Sequence, residues 1–118
     1  MKTQLYKEQL KDNVVSAMLD YMSKYEDCGY SKKDVQKCEG LLLDYLDKLS
    51  DITNSNDELI MEQVKNVVIA LNKLNEETDY SLIETDAREK IWQIIQDSAV
   101  ERGLSAVIED VTEEWREW

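Results

Sequence analysis

The chain has 118 residues, 14 basic and 26 acidic, with no histidine and no proline, for a formal net charge of −12. That length makes one domain, residues 1–118, with enough chain to bury a real core. The charge repels nucleic acid and anionic lipid, and the missing histidines remove the commonest general base and metal ligand.

The absence of proline, the three glycines and the long periodic runs predict an all-α fold. The first helix is expected from about Thr3 to Glu26. Leu10, Val14, Met18, Met22 and Tyr25 share one stripe, widened by Leu5, Tyr6, Val15, Leu19 and Tyr21. Gly29 suits a left-handed turn after it. Ser31 and Asp34 have capping-box spacing and open a second helix, whose seam is Val35, Cys38, Leu42, Tyr45 and Leu49, broadened by Leu41 and Leu46. Gly40, inside that helix, costs about 1 kcal/mol against alanine. A close approach of the first helix at Gly40 is the expected reason.

Residues 51–57 read as a loop, and Ser55 with Glu58 as the box that opens a third helix running to about Asn75. Its apolar face is Val64, Val67, Val68, Leu71 and Leu74. After a polar loop from Glu76 to Ile83, Thr85 or Asp86 caps a fourth helix, with Asp86 and Glu89 spaced as a further box. Ile91, Ile94, Ile95 and Ala99 form its face, Trp92 lies at the edge, and Gly103 ends it with Leu104 folding back. Ser105 to Trp118 is expected as a short fifth helix. Leu104, Ile108, Val111, Trp115 and Trp118 face inward there, opposite Glu109, Asp110, Glu113, Glu114 and Glu117, with Arg116 nearly alone among them. Four or five helices with short connections make a single-domain bundle of mainly antiparallel neighbours.

Catalytic and metal signatures are thin. Cys38 falls on the apolar seam and Cys28 near a turn, without a histidine partner for nucleophilic chemistry. Asp51, Thr53, Ser55, Asp57 and Glu62 have EF-hand-like spacing, but Asn56 stands where the sharp turn takes glycine, and a capped polar loop explains the same residues. No apolar run reaches the roughly 20 residues of a membrane span, and the N-terminus lacks the apolar stretch of a signal peptide. The expectation is a cytoplasmic protein with no catalytic residues, metal or cofactor.

The C-terminal half carries −8 of the −12. An aromatic anchor ringed by carboxylates suits a basic protein partner, because aromatics dominate hot spots and charges steer encounter. The candidate partner-binding residues are Glu109, Asp110, Glu113, Glu114, Trp115, Glu117 and Trp118. The alternative is a self-associating structural or regulatory module, a homodimer built on the leftover aromatics.

The run Leu82-Ile83-Glu84-Thr85-Asp86, with Arg88-Glu89 and Ile91, after Leu71-Asn72 and Leu74-Asn75, resembles a pattern in small uncharacterised bacterial helical proteins associated with the immunity proteins of toxin systems. The resemblance covers roughly the C-terminal half and brings no catalytic residues. It implies a cytoplasmic binder of the kind that neutralises a toxin, and the net charge of −12 suits a basic one such as a nuclease.

Overall fold

A computed structural model describes residues 2–54 and 56–118, which form four helices and no strand. Helix α1 covers residues 3–24. It is α-helical over Thr3–Gln9, π-helical over Leu10–Val15 and α-helical again over Ser16–Lys24. Helices α2 (Lys32–Ser50), α3 (Asp57–Glu77) and α4 (Thr85–Glu101) follow.

The π-turn has a cause in the apolar spacing. Tyr6, Leu10, Val14 and Met18 are all buried, and Met22 packs beside them, each four residues after the last. In a regular α-helix a step of four overshoots one turn by about 40°. Four such steps would carry the row around the helix. The wider turn of i→i+5 bonding takes up much of that drift. The π-segment packs against α2 and α4. The buried stripe is accordingly narrower than expected: Leu5, Leu19, Tyr21 and Tyr25 are exposed. The helix also ends at Lys24, just short of the expected Glu26.

Helix α2 begins as its sequence dictates. Asp34 N–H donates to Ser31 Oγ at 3.4 Å, and Ser31 N–H donates back to Asp34 Oδ2 at 2.9 Å. Val35, Cys38, Leu42, Tyr45, Leu46 and Leu49 are buried, and α2 packs against α1 and α3. The Tyr45 hydroxyl donates to Ile95 O at 3.2 Å and lies 2.9 Å from Ser98 Oγ, tying α2 to α4 in the core.

Gly29 takes the left-handed turn expected of it, whereas Gly40 does not make its expected contact. Gly40 faces open space, with nothing within 4 Å of a Cβ built there, so the expected interhelical contact is absent. The close approach is at Gly29. It has φ +92°, and a Cβ on it would lie 2.7 Å from Ser81 Cβ, so the turn after α1 rests directly on the α3–α4 connection.

Asn56 is the N-cap of α3, its Oδ1 accepting from Leu59 N–H at 3.2 Å. Ser55, expected in that role, lies outside the described residues. Helix α3 runs on to Glu77 because buried Asn75 organises the turn beyond it. Asn75 O accepts from Tyr80 N–H at 2.7 Å and from Thr78 Oγ1 at 3.0 Å, and Asn75 Oδ1 accepts from Ile83 N–H at 3.0 Å. These bonds hold Asp79 and Tyr80 in the left-handed region, at φ 55° and 63°, which costs about 1–2 kcal/mol for each non-glycine residue.

The N-cap of helix α4 falls one residue before Thr85 and two before Asp86, the expected caps. Glu84 is the N-cap without a side-chain bond, and no Asp86–Glu89 box forms. Asp86 instead lies in the first turn, where a carboxylate favours the positive end of the helix dipole. The other end follows expectation. Gly103 has φ +113°, its N–H donates to Val100 O at 3.1 Å, and Leu104 N–H donates to Ala99 O at 3.2 Å, a Schellman ending. No helix of the described residues is long and apolar enough to cross a membrane.

Candidate binding surface of the C-terminal segment

The expected fifth helix does not form. Residues 104–118 run as turns and irregular chain over α3 and α4. The inward residues were nonetheless correctly identified: Leu104 and Val111 are buried, and Ile108, Trp115 and Trp118 pack against the core. The apolar pattern therefore fixes which side chains turn inward, while the backbone finds other partners than its own fourth neighbour.

Those partners are side chains of the underlying helices. Gln96 of α4 donates through Nε2 to Ile108 O at 2.9 Å and accepts through Oε1 from Val111 N–H at 2.9 Å. Asn72 of α3 does the same further along: Nδ2 donates to Trp115 O at 2.7 Å and Oδ1 accepts from Glu117 N–H at 3.0 Å. Each amide imitates one peptide unit of a neighbouring strand and takes up both a donor and an acceptor. Asp57, in the first turn of α3, anchors the start of the segment. Its carboxylate accepts from Ser105 N–H at 2.8 Å, Ser105 Oγ at 2.7 Å and Ala106 N–H at 3.1 Å. The Ser105 bonds favour the ionised form, so the Asp57 carboxyl lies below its usual range.

Asp110 works within the segment. Its Oδ1 accepts from Thr112 N–H at 2.9 Å and Thr112 Oγ1 at 2.6 Å, an Asx turn that draws the backbone away from helix, and its Oδ2 pairs with Arg116 at 3.3 Å. Arg116 in turn lies 5.5 Å over the Trp118 ring. Asp110 thus belongs to the scaffold of this surface and pairs with one amino group of the local cation, Arg116.

The other candidates divide by exposure. Glu109, Glu113, Glu114 and Glu117 are exposed, and among the described residues none makes an ion pair or a side-chain hydrogen bond. Trp115 and Trp118 are half-buried, each with one side against the core. The segment therefore presents four solvated carboxylates and two half-buried indoles. The sequence reading missed Asn72, Gln96 and Asp57, which fix this geometry. Asn72 and Gln96 each sit beside an apolar-face residue, Leu71 and Ile95, and that adjacency was the available signal for side chains that border the core.

Elsewhere the chemistry is sparse. Among the described residues no group of acidic or cysteine side chains is arranged to hold a metal ion. Asp57, part of the EF-hand-like spacing, is committed to Ser105 and Ala106. The cysteines are free: Cys38 is buried, its thiol pushed up to about 12 by desolvation, and Cys28 Sγ lies 3.1 Å from Tyr30 O. Compared with protein-family models, curated proteins and solved structures, the chain matches none of them.

Proposed function

We propose that this protein is a non-catalytic, acidic protein-binding module that docks a basic protein through its C-terminal segment. The observation that carries the reading is four exposed, unpaired glutamates on a backbone clamped at Ser105, Val111 and Glu117 by side chains of α3 and α4. A clamped segment has already lost most of its conformational freedom, so binding through it costs less entropy than ordering a free tail. Glu109, Glu113, Glu114 and Glu117 supply the steering charge, and Trp115 and Trp118 supply the apolar anchor. The reading extends to an immunity protein of the cytoplasm that covers the phosphate-binding surface of a nuclease toxin with carboxylates.

The test is capture of basic proteins from the native host by the immobilised wild type and by a variant with Glu109, Glu113, Glu114 and Glu117 all changed to Gln. Retention of a basic protein by the wild type alone, falling as salt rises, with stoichiometric inhibition of that protein's nuclease activity, supports the reading. Equal retention by both forms, or none by either, removes it. A second reading, self-association, is favoured by exposed Leu19, Tyr21 and Tyr25, with the two tyrosine rings 4.6 Å apart at the C-terminal end of α1. Sedimentation that gives a monomer at every concentration disposes of it.

A further inference from the structure

Two of the chain's three arginines meet at a single groove. Arg88, Glu89, Trp92 and Gln93 of α4 line one side and Arg116 of the C-terminal segment the other, around about 460 Å³ of open space. In a chain of net charge −12 this lining sets two guanidiniums against the Glu89 carboxylate, and Asp110, outside the lining, pairs with Arg116. Arg88 makes no ion pair or hydrogen bond among the described residues. Arg116 is fixed by Asp110 and by its position over the Trp118 ring, which leaves the remainder of its five-donor fork available. Trp92 forms part of the same wall, and its indole Nε1, like that of Trp118, is buried with no hydrogen-bond acceptor among the described residues.

We infer that this groove binds the oxyanion head of a small organic molecule, a carboxylate or a phosphate, between Arg88 and Arg116, with the Trp92 indole forming part of the wall. Planar guanidinium forks match both headgroups in geometry. A groove of this size also holds an organic body beyond the headgroup. Glu89 on the same wall opposes a second negative charge and so favours a singly charged ligand.

The experiment is an NMR titration of the ¹⁵N-labelled full chain with benzoate in one arm and inorganic phosphate in the other, at ionic strength held constant with chloride. The Trp92 indole cross-peak is assigned by its loss in Trp92→Phe. The expected result is a saturable movement of that cross-peak in at least one arm. The affinity falls about tenfold or more in Arg88→Ala, as loss of a charge-assisted bond should produce, and is unchanged in Lys90→Ala, outside the groove. The arm that saturates identifies the headgroup. Absence of saturation in both arms, or equal affinity in Arg88→Ala and wild type, overturns the inference. The readout does not involve the exposed glutamates, so this result stands or falls apart from the proposed docking of a basic protein.

Discussion

Gly40→Ala should stabilise the protein. Gly40 lies mid-way along α2, is exposed, and has nothing within 4 Å of the added Cβ, so the substitution meets no steric opposition. The gain is the helix-propensity difference between glycine and alanine, about 1 kcal/mol, much of it from restricting the unfolded chain. At about 2.1 cal/mol/K per residue, 118 residues give an unfolding entropy near 250 cal/mol/K, so 1 kcal/mol raises Tm by about 4 °C. Differential scanning calorimetry of the two forms reads this directly. The same substitution at Gly29 has the opposite sign, because φ is +92° and the new Cβ meets Ser81, so Gly29→Ala should lower Tm. A Tm for Gly40→Ala equal to or below the wild type would refute the reasoning, since it would mean that a neighbour approaches α2 at Gly40 after all.

Three further outcomes follow from the core and the anchors. Tyr45→Phe removes the buried hydroxyl that joins α2 to Ile95 O and Ser98, and should cost about 1–2 kcal/mol in urea unfolding with an unchanged m-value. In the native protein a thiol reagent at about pH 8 should label Cys28 and spare Cys38, whose thiol burial holds near 12; equal labelling of both would contradict the packing of α2. Because the folded-state pKa of Asp57 is depressed, its contribution is present above the ordinary carboxylate range and is lost as pH falls through the folded value. Limited proteolysis should therefore open residues 105–118 on acidification below about pH 4, and in Asp57→Ala the segment should already be open at neutral pH.

The sequence was most legible where local chemistry and burial agree. The Ser31–Asp34 box, the α2 seam and the Gly103 ending all emerge from residues within one helix and its caps. The π-turn was less visible, although its trace is present: Tyr6, Leu10, Val14, Met18 and Met22 keep a step of four that no regular α-helix keeps on one line. The C-terminal segment misled for a different reason. Its apolar residues have helical spacing and do turn inward, but the decisive partners, Asp57, Asn72 and Gln96, come from elements far away in sequence. Gly40 misled because a mid-helix glycine suggests a close contact, and the tight contact of this fold is a different one, between Gly29 and Ser81.

The clamping of the C-terminal segment is the claim on which the proposed surface rests, and amide hydrogen exchange at Val111 and Glu117 tests it most directly. Their N–H groups end on Gln96 Oε1 and Asn72 Oδ1, so both should exchange slowly in the wild type; Val111 should lose protection in Gln96→Ala and Glu117 in Asn72→Ala. Fast exchange at both sites in the wild type, or helical chemical shifts across residues 105–118, would contradict the account.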